Sequence, residues 1–213
     1  MSHIKTNVLT QDALFQPNAE RAMAFARSCP VYSPTALTRV IVSGKPVLIK
    51  DESTRFGLGS FKALGGIYAL AQLLLSTVEK QTGHRPEMTE LLSDSVRKIA
   101  DTQTYVCASA GNHGMAVATG AQLFGAHARI YVSEEVPSSF ATRLRERGAE
   151  ACVAGANYEE SLAAANKDVH ETGALLLADG SWEGYLEPPS LVMEGYTVMA
   201  CELRDSFAAP GEW

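Results

Sequence analysis

The 213-residue chain has no apolar run near the roughly 18 residues that a membrane-spanning helix needs. Its first twenty residues, MSHIKTNVLTQDALFQPNAE, show no continuous apolar stretch of the kind a secretory leader carries. Positive charge is in short supply, with 18 Lys and Arg against 24 Asp and Glu and a formal net charge of −6. That balance lacks the basic excess on which nucleic-acid binding depends, so neither nucleic acid nor a membrane is an expected partner. Cysteine is scarce. Cys29, Cys107, Cys152 and Cys201 stand far apart with no CxxC pair, so no metal framework or disulfide scaffold is expected. Reduced, packed thiols of this kind fit a cytoplasmic protein. His3, His84, His127 and His170 show no metal-ligand spacing either. Nothing matches GxxxxGK[ST], and Gly57-Leu-Gly59-Ser-Phe-Lys62 has a lysine where a dinucleotide fingerprint wants its third glycine. The serines near Lys62 have no histidine at a hydrolase spacing.

What is present is a 46% hydrophobic chain able to bury a sizeable core in one or two domains. Residues 1–46 read as irregular, broken by Pro17, Pro30, Pro34 and Pro46. Residues 46–50 (PVLIK) read as a short buried strand. Residues 62–79 place Leu64, Ile67, Tyr68, Leu70, Leu74, Leu75 and Val78 on the broad apolar face of a helix. Residues 80–90 form a polar interval with Gly83 and Pro86 that reads as a surface loop or an insertion.

After that, strand patterns at residues 104–108, 128–133, 150–154 and 174–178 alternate with helix patterns. The helices cover residues 112–124, 138–147, 158–172 and 190–205, and Gly125, Gly148 and Gly173 stop the first three. Single helices between strands imply βαβ units and a parallel sheet with right-handed crossovers, so the fold class is α/β. Ligands of such sheets bind beyond the carboxyl ends of the strands.

Three places carry candidate chemistry. Lys62 follows an acidic, glycine-punctuated loop and heads an apolar helix, in the run KDESTRFGLGSFKALGG. A lysine there is usually a solvated charge. Here Phe61, Leu64 and the Gly65-Gly66 pair suggest close packing, and burial would lower its pKa toward that of a nucleophilic amine. The segment SAGNHG (residues 109–114) leaves one strand and opens the next helix, whose free N–H groups suit a carboxylate. Gly111 and Gly114 would let a ligand come close to the backbone, and Asn112 could meet a cofactor hydroxyl. Read plainly, the same segment is a strand-to-helix turn with Asn112 as its N-cap and His113 as a turn residue. Asp179 ends the fourth strand before Gly180, Ser181 and WEGY, and serves equally as a proton-transfer group or as the turn-former of an Asp-Gly step.

Together these residues resemble the fold-type-II pyridoxal-phosphate enzymes, and most closely the diaminopropionate ammonia-lyase family. The likeness runs through YSPTAL (residues 32–37), the lysine motif, SAGNHG, and DGSWEGY with the later EGY. The lysine motif is long and specific, whereas the Asn loop is shared widely. The resemblance implies a tryptophan-synthase-beta-like architecture with Lys62 covalently holding pyridoxal 5'-phosphate. Phe61 would line the cofactor, Asn112 would stand near its pyridine hydroxyl, and Ser109, Ala110, Gly111, Asn112, His113 and Gly114 would hold the substrate carboxylate. The implied reaction is α,β-elimination of ammonia from 2,3-diaminopropionate to give pyruvate and ammonia. Lys62 would be the base for an L-substrate, and Asp179 would lie near the departing amine. A serine/threonine-type dehydratase, another fold-type-II lyase, or a remnant without turnover are the alternatives.

Two departures bear on this. Where the ammonia-lyases carry an Asp before Gly-Asn-His, this chain has Ala110, so residues 109–112 look closer to the amino-acid dehydratases at this point, which bears on the D-isomer. The sequence also ends at Pro210-Gly-Glu-Trp213, short of the glycine-rich loop that holds the cofactor phosphate in the family. It is therefore expected to be an N-terminal portion, whose last helix shows an apolar face meant for further strands. By the family layout, residues 1–87 begin a large domain, 88–178 form a small α/β domain, and 179–213 return to the large one. The family implies a small amino-acid substrate and a homodimer, or a complementing C-terminal part. No metal is implied.

Overall fold

The computed structural model describes residues 15–208 of the chain. The readings made above for residues 1–14, His3 among them, and for residues 209–213 lie outside the described residues. Helix α1 (Ala19–Ser28) comes first, capped by Asn18, whose side chain accepts from the Arg21 N–H. A hairpin follows, β1 (Ala36–Val42) against β2 (Lys45–Asp51), antiparallel with Val40 opposite Val47. Residues 1–46 are thus not irregular throughout. Of the prolines that obscured α1 and β1, Pro17, Pro30 and Pro34 lie outside the elements, and Pro46 is the second residue of β2. Residues 46–50 do form a strand, but not a buried one: Val47 and Ile49 are 40% and 46% exposed. A two-stranded hairpin has no second layer to cover its faces.

A short 3-10 segment (Glu52–Gly57) leads to helix α2 (Lys62–Thr82), which Gly83 ends in the left-handed conformation. The helix runs three residues beyond the apolar pattern, so the polar interval starts later than its composition suggests. Helix α3 (Asp94–Ala100), which has a single pair of buried residues, was not evident from periodicity. The alternating region then follows as β3 (Thr104–Ala108), α4 (Asn112–Phe124), β4 (His127–Val132), α5 (Ser138–Arg145), β5 (Glu150–Val153), α6 (Tyr158–Thr172) and β6 (Leu175–Leu176). Helix α7 (Glu187–Ala208) closes the described part.

The sheet order is β5-β4-β3-β6, with every pairing parallel. Tyr105, Cys107, Ile130 and Val132 join the main core, where Met115 and Val117 of α4 lie. Val106, Ala108 and Tyr131 point the other way, to Leu162, Ala165 and Val169 of α6. The period-2 alternation therefore buries both faces, as parallel sheets require. Two successive steps, β3 to β4 to β5, run toward one edge. The connection through α6 then returns across the sheet to place β6 on the far side of β3. The winding reverses between β3 and β6, and such a reversal opens a crevice at the carboxyl ends of the two strands. Strand β6 is only two residues long, and its outer edge is closed by the Tyr185 hydroxyl, which donates to the Leu176 carbonyl and accepts from the Ala178 N–H, both at 2.9 Å.

Helix α2 packs against α4 on one side and α7 on the other. Glycines make both contacts close. A Cβ on Gly66 would fall 2.6 Å from the Ala116 Cβ, and one on Gly195 would fall 2.5 Å from the Leu64 carbonyl oxygen. Two buried carboxylates on α7 complete the frame. Glu194 takes the Asn18 N–H at 2.8 Å, Arg21 at 2.7 Å and the Tyr68 hydroxyl, tying α1 and α2 to α7. Glu202 receives both terminal nitrogens of Arg55 at 2.8 Å, Lys50 at 2.7 Å and the Tyr32 hydroxyl at 2.9 Å. Arg55 also donates to Glu52 at 2.8 Å and is 1% exposed. Although burial alone would raise it, these donors hold the Glu202 carboxyl down to about 2. Helix α7 does show apolar residues to solvent, Met193 and Phe207 each at 52%.

Gly66→Ala is expected to lower unfolding stability by about 1–3 kcal/mol through overpacking against α4. Gly180→Ala, in open space, should change it by less than about 0.5 kcal/mol, both read from urea unfolding. Glu202 has a folded pKa below its ordinary 4.5, so its contribution is present above that value and is lost as pH falls toward about 2. Glu202→Gln should therefore lower the urea midpoint at neutral pH and flatten its decline across that acid window.

Candidate functional site

Asp51 begins the loop that delivers Lys62: its side chain accepts from the Ser53 N–H at 3.0 Å and starts the 3-10 turn. Gly57 and Gly59 then take φ of 68° and 72°, a region open to glycine at little cost. The Arg55 fork to Glu52 and Glu202 anchors this loop to α7, so the long motif before Lys62 is a mounting and not itself a reactive surface. Lys62 is the first residue of α2, with its N–H on the Ser60 hydroxyl at 3.2 Å.

The Lys62 Nζ donates to Asp179 Oδ2 at 2.6 Å, and both side chains are 32% exposed. Its ammonium also lies 5.7 Å from the ring centroids of Phe61 and Tyr196, which meet edge to face at 5.1 Å. Burial acts to lower the lysine pKa, but the hydrogen bond to Asp179, with the phenol of Tyr196 beside it, outweighs it, and the pKa is raised. The expectation of a lowered pKa is thus corrected. The amine is only partly buried and is paired, so its charged form is favoured. Asp179 shifts the opposite way. Burial would raise its carboxyl, and the fields of His113 and Lys62 hold it low.

The loop of residues 109–114 leaves β3 and is folded around one hydroxyl. Ser109 Oγ accepts from the N–H of Gly111 at 3.3 Å and of Gly114 at 3.0 Å. Gly111, not Asn112, holds the N-cap position of α4, and Asn112 is an exposed first helical residue. The N–H groups of Asn112 and His113 head the helix with no acceptor one turn earlier inside it. The two glycines differ. A Cβ on Gly114 would meet Ile130 and Ser109 at 3.0–3.2 Å, so that residue serves inward packing. Gly111 has nothing within 4 Å of where a Cβ would stand, which leaves space on the open side of the loop. Ala110 is exposed beside it.

Asp179 follows β6, the neighbour of β3, so the loop and the acid meet at the reversal of winding. Its segment is pinned by the Tyr185 hydroxyl and by stacking of Tyr185 on Trp182, with centroids 4.3 Å apart. The residues singled out in the sequence thus fall into two neighbouring groups, Phe61, Lys62 and Asp179 on one side and residues 109–114 on the other. His113 is the link between them: buried, with Nε2 2.9 Å from the Leu177 carbonyl oxygen, it feels the charges of both Asp179 and Lys62. Tyr196 was missed as a site residue. Its hydroxyl is buried beside the Lys62 ammonium, which it helps to keep charged. The signal for it was Gly195 inside a helix, where glycine is unfavourable unless something must come close.

Residues 30–211 match the family model described as "Pyridoxal-phosphate dependent enzyme". Diaminopropionate ammonia-lyase of Escherichia coli (strain K12) is 33% identical over 207 residues, which is 95% of this chain and 51% of that enzyme. The crystal structure of the Escherichia coli enzyme in apo form is similar with a TM-score of 0.76 at 31% identity, covering 89% of this chain and 52% of that one. L-threonine dehydratase of Mycobacterium tuberculosis (strain ATCC 25618 / H37Rv) is 31% identical over 161 residues, or 72% of this chain and 32% of the dehydratase. The chain spans about half the length of the diaminopropionate ammonia-lyases it matches.

Removing the counter-charge should release the amine. In Asp179→Asn the Lys62 pKa is expected to fall, so acetylation by acetic anhydride at about pH 9 should speed up several-fold. Peptide mass mapping of Lys62 against the other lysines reads this directly.

Proposed function

The chain belongs to the pyridoxal-phosphate-dependent enzyme family, and from that premise we propose that it is an ammonia-lyase acting on 2,3-diaminopropionate. The observation that carries the reading is the Lys62–Asp179 pair set beside the open helix end of α4, in the family's lysine and Asn-loop motifs. The residues present fit pyridoxal 5'-phosphate. Lys62 is a reachable amine, Phe61 and Tyr196 offer ring faces beside it, and the space beside Gly111 leaves the helix end open to a ligand. Phe61, Lys62 and Asn112 would hold the cofactor. When bound, it supplies an electron sink for the carbanion left by loss of the α-proton.

The chain's own groups account for the rest. The N–H groups at the start of α4, with the loop from Ser109 through Ala110 and Gly111 to Gly114, bind the substrate carboxylate, favoured by the helix dipole. Lys62 removes the α-proton of an L-substrate. Asp179, ionised at neutral pH, holds the β-ammonium, which departs as ammonia with the electrons of the Cβ–N bond. Water then converts the released enamine to pyruvate and a second ammonia. Ala110 offers no carboxylate to take a proton from the opposite face, which favours the L-isomer. It also keeps a serine/threonine dehydratase as a second reading. The chain's residues 1–87, 88–178 and 179–213 would then divide between a large and a small domain. A homodimer or a complementing C-terminal part would complete the unit. Four free cysteines favour a cytoplasmic setting.

Borohydride reduction with pyridoxal phosphate should leave a stoichiometric adduct on Lys62, and none in Lys62→Ala. Asp179→Asn should keep the adduct and lose at least about tenfold in pyruvate formation. Turnover of L-serine or L-threonine in preference to 2,3-diaminopropionate would replace the proposed substrate with the dehydratase reading.

A further inference from the structure

His113 belongs by its backbone to the open end of α4, yet its side chain runs inward and is 4% exposed. Its Nε2 lies 2.9 Å from the carbonyl oxygen of Leu177. A carbonyl oxygen can only accept, so the proton is on Nε2 and Nδ1 carries a lone pair in the neutral ring. That Nδ1 is buried without a partner among the described residues. A ring kept with one nitrogen unsatisfied is a cost that the other nitrogen's bond must offset. The bond joins two elements that are distant in sequence, the first turn of α4 and the end of β6. Leu177 itself donates to the Val106 carbonyl at 2.8 Å, which closes the last rung between β6 and β3. Asp179 emerges two residues later.

Resting on the ammonia-lyase reading above, we infer that His113 is a positioning residue whose Nε2–H, by fastening the Leu177 carbonyl, sets the Asp179 carboxylate against Lys62 Nζ. The same residue presents its own N–H at the helix end that takes the substrate carboxylate. One side chain thereby fixes the span between carboxylate site and acid–amine pair, which a substrate with a short carbon chain must bridge. Burial keeps the ring neutral, with Asp179 drawing it toward the imidazolium and Lys62 opposing. A leucine would fill the volume without the bond. Glutamine would restore a donor of similar reach.

The test uses the purified chain without cofactor and follows acetylation of Lys62 by peptide mass mapping at about pH 9, with Asp179→Asn as the benchmark for a broken pair. His113→Leu should accelerate Lys62 acetylation several-fold, toward that benchmark, and His113→Gln should return it to near the wild-type rate. A folded His113→Leu, with a native near-ultraviolet circular dichroism spectrum and the wild-type Lys62 rate, overturns the inference. Should His113→Leu fail to fold, 15N spectra of the unmodified chain decide. A proton on Nε2 with a bare Nδ1, and ring resonances that move in Asp179→Asn, support the inference. A proton on Nδ1, or a ring indifferent to Asp179→Asn, refutes it. None of these readouts needs turnover. Absence of diaminopropionate turnover alongside the expected pattern counts against the reaction and leaves the positioning role standing.

Discussion

Gly65, Gly66 and Gly195 let three helix backbones approach more closely than a side chain at any of those positions would permit. A Cβ on Gly65 would lie 2.4 Å from a ring carbon of Tyr196, and one on Gly195 would lie 2.8 Å from the Gly65 Cα. Helix α2 is therefore clamped between α4 and α7 with little freedom to slide or rotate, since close-packed interiors yield only in discrete steps. Lys62, proposed above to hold the cofactor, is the first residue of that helix. The clamp also brings in the other parts of the site, because α4 starts with the Asn loop and α7 supplies the Tyr196 ring beside Nζ.

The two buried acids of α7, about two helical turns apart, hold Lys62 from behind. Glu194 joins α7 to α1 and to the middle of α2 through Arg21 and Tyr68. Glu202 joins it to the loop just upstream of Lys62 through the two-pronged contact with Arg55. Breaking such a buried pair leaves a charge without compensation, which is far more costly than a lost surface contact. The conspicuous charged residues of the motif, Glu52 and Arg55, are thus part of the frame that holds the loop.

At the site itself the electrostatics invert the simplest expectation. Apolar neighbours in the sequence suggested a lysine stripped of water and poised as a free amine. In the fold Lys62 remains a third exposed and meets Asp179 from 117 positions further along, which stabilises the ammonium. Nothing near position 62 carries that information, because the partner arrives only when the chain returns across the sheet to β6. The same return explains why the loop of residues 109–114 and Asp179 lie at one end of the sheet: β3 and β6 become neighbours although three helices and two strands separate them in sequence.

Local pattern was enough to recover β3, α4 and α6 to the residue, because their apolar periodicity is strong and αL glycines such as Gly125 and Gly173 punctuate them. It was too weak for β1 and α3, which are short or turn most of their surface to solvent, and flanking prolines hid the ten-residue α1 despite its apolar face of Ala22, Met23, Phe25 and Ala26. The lysine motif, the Asn loop and the WEGY run were legible because each is a contiguous string that local backbone geometry demands. The side chain of His113, the hydroxyl of Tyr196 and the charge state of Lys62 were not, since each depends on a partner from another element. What the sequence by itself determined was the βαβ order and the contiguous motifs that carry the candidate groups, both of which are local. Only the tertiary structure decided the strand order, the pairing of Lys62 with Asp179 and the inward turn of His113, because long-range packing selects which distant residues meet.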